Sequence, residues 1–241
     1  MITITRKIRF DLSGYYFIGL IGLVLLGFWK SYFSKFFNGT ENYPFYFHFH
    51  AIMMALWILL LIFQPILIRK KKLAIHKLIG KLTYILMPLL FTSIILLTHY
   101  QIEQHVQIIN GEKLYGPHLL IPFKDILILG TAYIIGVAYR QNINIHARAM
   151  VATGLVFIEP ALTRFLINLT NDRNIGYPCT IGILYSILIG LILLERKQKS
   201  GRWVFPLILG LYIFSHSLIL FKIDFGVWES FSRWFAKLPL P

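Results

Sequence analysis

Long apolar runs nearly free of charge, each about the length of a bilayer crossing, constrain this chain more than any other feature of its sequence. The runs fall at roughly residues 14–33, 46–68, 75–98, 117–139, 145–168, 177–195 and 203–221. A helix rises about 1.5 Å per residue, so about 20 apolar residues traverse a hydrocarbon core about 30 Å thick. Only a structure that satisfies its own backbone hydrogen bonds can do this, which predicts a polytopic all-α membrane bundle of about seven helices. The overall composition agrees, with 57% hydrophobic residues and a mean hydropathy of +0.67. The expected partner is therefore the lipid bilayer.

Charge then sets the orientation. The net charge of +14 would point to nucleic acid in a soluble protein, but here the bases occupy alternate connections. Arg6, Lys7 and Arg9 precede the first run, and Arg69 to Lys72 with Lys77 and Lys81 join the second to the third. Arg140 and Arg148 join the fourth to the fifth, and Arg196, Lys197, Lys199 and Arg202 the sixth to the seventh. The opposite connections carry Glu41, Glu103, Glu112 and Asp172. By the positive-inside rule the N-terminus is cytoplasmic and the C-terminus outside, as in a bacterial inner-membrane protein, and nucleic acid is not a partner.

No linker or low-complexity block divides the chain, so residues 1–241 read as one membrane domain. Residues 224–241 mix Trp228, Phe231, Trp234 and Phe235 with Glu229, Arg233 and Lys237, the pattern of an interfacial amphipathic helix. Cys179 is the single cysteine, which leaves no intramolecular disulfide and no cysteine metal cluster. Glycines 19, 22 and 27 in the first run and 182 and 190 in the sixth are expected to permit close helix approach.

Residues 46–168 contain an internal repeat and are taken as a four-helix functional core. His50, Arg69 and His76 recur as His118, Arg140 and His146, with offsets of 68, 71 and 70 residues. Each histidine pair brackets a full crossing, so His50 and His118 belong near the outer face and His76 and His146 near the inner one. Two histidines on facing helices can ligate haem iron, and bundles hold cofactors in this way. Gly80, one turn beyond His76, leaves room for a flat macrocycle.

Intramembrane polar residues are functional hypotheses by default. The outer group comprises His50, His118, Lys124, Asp125, Glu159, Arg164 and His216, and the inner group Gln64, His76, Lys77, His146 and Arg148. The polar pocket read from them contains Asp125, Glu159, Arg164, His216, Gln64 and Arg148. Depth predicts an ion pair between Asp125 and Arg164. A zinc site at His50, His118 and His216 with Asp125 or Glu159 is an alternative, although no H-E-x-x-H spacing is present. His48, His99 and His105 read as interfacial.

Two resemblances follow. Phe47-His48-Phe49-His50 with Trp57 and Gln64, then Ile75 to Gly80, Pro122 and Asp125, His146 to Met150, and Pro160 to Arg164 together resemble a widespread family of uncharacterised bacterial integral membrane proteins, a domain of unknown function. The four histidines also resemble those of transmembrane di-haem b-type cytochromes. That resemblance implies haem b held by His50 with His118 and by His76 with His146. It also implies electron transfer to a quinone or redox partner, with Arg148, Lys77 or Arg164 meeting propionates. The competing class is a non-haem transporter, or a lipid- or small-molecule-binding protein, with an outward-facing polar pocket.

Overall fold

A computed structural model describes residues 9–40, 42–102, 107–109, 112–222 and 226–240. Arg6, Lys7, Glu41, Glu103, His105 and Asp224 lie outside the described residues, and so do the side chains of Glu112 and His118. The fold is an all-α bundle. Six helices are long and apolar enough to cross a membrane: α1 (Phe10–Phe37), α2 (Phe45–Arg69), α3 (Leu73–Gln101), α4 (Gly116–Ala138), α5 (Ile143–Thr170) and α6 (Arg173–Glu195). The shorter α7 (Val204–Leu220) and the amphipathic α8 (Gly226–Ala236) follow. A two-stranded antiparallel hairpin, β1 (Gln107–Ile109) and β2 (Glu112–Leu114), links α3 to α4 and pairs Ile108 with Lys113.

Local chemistry places the breaks where the charge pattern does. Lys71, in the left-handed region at φ 57°, turns α2 into α3, and Asn171 at φ 53° ends α5. Asn142 caps α5 by accepting from the Asn144 and Ile145 amides, and Asp172 caps α6 by accepting from Asn174. Each cap satisfies amides that have no partner within the helix.

α5 is the axis of the bundle. It packs against α1, α4, α6 and α7 and touches α2, while α3 is held mainly by α2 and α4. The apolar core runs through Trp57, Leu90, Ile128, Phe157, Leu184, Phe205 and Tyr212, and so draws on α7 as fully as on α2 to α5. Burial thus does not separate residues 46–168 from the remaining helices. Ile18, Ile52, Phe63, Leu82 and Ile134 are exposed on the outside, as lipid-facing side chains are.

Of the five glycines expected at close approaches only Gly27 is used, and Gly14, which was not among them, joins it. A Cβ on Gly27 would strike the Ala161 carbonyl, and one on Gly14 the Ile62 carbonyl, so α1 lies directly on α5 and α2 at these points. Gly19, Gly22, Gly182 and Gly190 have nothing within 4 Å of that position. The sequence marks glycines as permissive, but only the azimuth of the neighbouring helix decides which of them are used.

The bundle's two ends are chemically distinct. At one end Arg69 lies 5.5 Å over the Tyr15 ring, Arg148 lies 5.0 Å over Phe10, and Tyr139 meets Trp203 at 6.1 Å. At the other, α8 docks on the start of α4. Glu229 accepts from the Gly116 amide at 2.9 Å, and the Trp228 indole donates to the Gly116 carbonyl at 2.9 Å. Phe123 packs edge-on against Trp228, Phe231 and Phe235.

Candidate functional site

A continuous polar cluster occupies the interior where α4, α5, α6 and α7 meet. Lys124 of α4 has a side chain only 2% exposed, and its Nζ lies 3.0 Å from Asp125 Oδ1 and 2.5 Å from Glu159 Oε1 of α5. The same Glu159 oxygen lies 3.2 Å from His216 Nε2 of α7, and His216 Nδ1 is 3.0 Å from the Tyr185 hydroxyl of α6. Three tyrosine rings surround His216: Tyr212 at 5.5 Å, Tyr185 at 5.7 Å and Tyr177 at 6.1 Å between centroids. Lys124 Nζ also sits 5.5 Å from the centre of the Tyr212 ring.

Each element contributes for a physical reason. Tyr212 and His216 are one turn apart and share a face of α7. Asp125 follows Lys124 directly, so the two side chains leave α4 about 100° apart, and the long lysine stem carries its ammonium back to the carboxylate. Glu159 is 11 residues from the α5 end at Thr170, about 17 Å along the helix, which sets it well inside the length of the helix. A buried charge at this depth is costly unless paired. Glu159 Oε2 and the hydroxyls of Tyr177 and Tyr212 are buried without a hydrogen-bond partner among the described residues.

The predicted Asp125–Arg164 pair is not formed. Asp125 is bound by Lys124, whereas Arg164 lies 4.4 Å over the Phe28 ring and donates to the Pro160 carbonyl at 3.2 Å. It reaches Asp125 only through longer-range electrostatics. Nor do the six residues read as one polar pocket meet in one place. Asp125, Glu159 and His216 come together with Lys124, while Gln64 and Arg148 belong to the opposite end. Arg148 donates to Glu195 Oε2 at 2.6 Å and to the Asn144 carbonyl at 2.5 Å, both within the protein. Sequence reasoning missed Glu195, the last residue of the sixth run. It missed the three tyrosines as well, since aromatic side chains at helical spacing look like ordinary core.

The four repeat histidines sit as follows. The Ser93 hydroxyl donates to the Leu90 carbonyl, so at 3.1 Å it accepts from His50 Nδ1–H. The Gly136 carbonyl accepts from His146 Nδ1–H at 2.7 Å. Whenever these rings are neutral their Nε2 carries the lone pair a haem iron requires, with the other nitrogen anchored as metal-binding histidines usually are. His76 is arranged differently. The Gln64 amide nitrogen donates to its Nδ1, and the Gln64 oxygen accepts from the Gly80 amide at 3.1 Å, so the neutral His76 ring carries its proton on Nε2. His76 thus does not fit iron ligation in this arrangement, although it lies within electrostatic reach of His146. The His118 side chain is outside the described residues. Among those residues, no group of three or more histidine, cysteine, aspartate and glutamate side chains converges to hold a metal ion, and both ring nitrogens of His216, a member of the zinc alternative, are engaged by Glu159 and Tyr185.

Comparisons with family models, with curated proteins and with solved structures return no match.

Proposed function

We propose that this multi-pass membrane protein binds a small polar or amphiphilic solute, or carries it across the membrane, through the cluster of Lys124, Asp125, Glu159 and His216. The observation that supports this reading is a lysine ammonium shared by two carboxylates, one of them also engaged by a histidine, deep inside a helical bundle. Intramembrane charges arranged in this way mark substrate or proton paths. A surface groove beside the cluster is lined mainly by Leu120, Phe123, Leu127, Phe214, Leu218 and Trp228, with Lys124 and Ser215 as the polar members of its lining. That shape suits a ligand with an apolar body and a polar head. The bacterial inner membrane, with a cytoplasmic N-terminus, is the compartment proposed from the charge pattern, and the cluster then lies toward the outer half.

A binding solute stabilises the folded protein by mass action. Thermal unfolding of the detergent-purified protein against panels of small acids, amines, sugars and single-chain amphiphiles tests the reading. We expect at least one class to raise the unfolding temperature of the native protein and to fail with Glu159→Gln. Stabilisation by none of them, or equal stabilisation of the variant, overturns the reading.

The second reading is di-haem electron transfer through His50, His118, His76 and His146 to a quinone or protein redox partner. The anchoring of His50 by Ser93 and of His146 by Gly136 favours it. When bound, haem b would supply one-electron chemistry, with His50 and His146 as the histidines whose anchoring suits ligation, while His76 would have to give up its Gln64 contact and take the opposite tautomer. Reduced and oxidised absorption spectra of the purified protein decide, since b-type haem gives a difference spectrum and its absence removes the reading.

A further inference from the structure

We propose that His216 and Glu159 form a proton-binding site, so that the proton is the coupled ion of the solute site proposed above, on which this inference rests. Glu159 Oε1 accepts from His216 Nε2–H, so in the neutral ring Nδ1 carries the lone pair and the Tyr185 hydroxyl donates to it at 3.0 Å. One added proton forms an N–H bond at Nδ1. The Tyr185 hydroxyl then rotates to accept from it, and Nε2–H stays on Glu159. The proton comes from hydronium in solvent, whose O–H bond breaks as the N–H bond forms and which leaves as water, and no other covalent bond changes. The site is built to hold both states without moving a helix.

Charged and aromatic groups face His216 from each helix packed against its own. The helices packed against α7 are α4, α5 and α6. They bring to the cluster Lys124 and Asp125 from α4, Glu159 from α5 with Arg164 further along, and Tyr177 and Tyr185 from α6, while α7 itself adds Tyr212. Lys124 with its two carboxylates carries a formal charge of −1, which one proton on His216 cancels. The faces of Tyr185 and Tyr212, each at 32° to the imidazole plane, add attraction for a cation. The unpartnered Glu159 Oε2 and the Tyr177 and Tyr212 hydroxyls leave acceptors and donors for a water beside the pair. Tyr177 is four residues from the start of α6, so this polar lining begins within about 6 Å of the helix end.

Potentiometric titration of the full-length protein in detergent, native against His216→Gln, counts the protons. We expect the native protein to take up one proton more than the variant over the pH range in which both stay folded. Glu159→Gln should lower the proton affinity of the site about 10–1,000-fold, the effect of losing an adjacent opposite charge. Tyr185→Phe, which removes only a hydroxyl from a half-exposed ring, should lower it less and in the same direction. If His216→Gln does not fold, the two shifts are read on the His216 resonance of protein labelled in its histidines. Identical native and variant titrations, or a His216 resonance that does not titrate, overturn the proposal. Solute stabilisation without titration removes the proton step alone; titration without any stabilising solute removes the solute reading alone.

Discussion

Lys124 places one buried ammonium against two carboxylates, Asp125 and Glu159. A buried ion pair stripped of one partner leaves an uncompensated charge, typically a loss of about 3–5 kcal/mol, whereas removing both partners is far milder. Lys124→Met should therefore destabilise the protein by about that amount, because it leaves Asp125 and Glu159 facing each other. Adding Glu159→Gln should recover a large part of the loss. Chemical unfolding in detergent checks this through a double-mutant cycle, and strictly additive effects would show that the two side chains are not coupled. At the far end, Arg148→Lys should not substitute for Arg148, whose guanidinium serves Glu195 and the Asn144 carbonyl together. Asp125, Glu159 and His216 were legible in the sequence because a polar residue within an apolar run must be hidden or paired. The partner of Asp125 was not legible. Depth along a helix fixes height but not direction, and Arg164 has the height to reach Asp125 while pointing at Phe28.

At the level of helices, the apolar runs found the elements well and their contacts poorly. The run at 75–98 becomes α3 at Leu73–Gln101, and the run at 145–168 becomes α5 at Ile143–Thr170, each extended into polar residues that the helix carries past the hydrocarbon edge. The histidine repeat is real as spacing, yet the structure gives His50, His76 and His146 three different polar partners, which the repeat did not anticipate. The glycines illustrate why contacts are harder to read. Gly27 has an Ala161 carbonyl where its Cβ would lie, and the Asn168 amide donates to the Gly27 carbonyl at 3.4 Å. Gly27→Ala should therefore push α1 from α5 and lower the unfolding temperature. Gly19→Ala and Gly182→Ala meet no neighbour, and by relieving the helical cost of glycine each should be neutral or gain up to about 1 kcal/mol. Thermal unfolding of the three variants side by side makes the comparison, and equal losses would contradict the α1–α5 packing.

Over the whole molecule, the open question of architecture is the seventh helix. α7 has 17 residues and rises about 26 Å, at the short limit for a crossing. Its packing nevertheless carries it from one end of the bundle to the other. It starts next to Trp203, which meets Tyr139 at the end of α4, and it finishes before α8, which is fastened to the beginning of α4 through Glu229 and Trp228. We propose that α7 crosses beside α4 in the opposite sense. The basic segments Arg69–Lys72, Arg140 and Arg196–Arg202 would then share one end, the one we propose to be cytoplasmic by the positive-inside rule. Reporter fusions after Lys72, Lys113, Arg140, Arg173, Lys199 and Leu240 should therefore read in, out, in, out, in, out. A C-terminus found inside would reduce the crossings to six and place α8 on the cytoplasmic face. That outcome conflicts with the hydrogen bonds from Gly116 to Glu229 and from Trp228 to Gly116, so it would overturn the docking of α8 together with the seventh span.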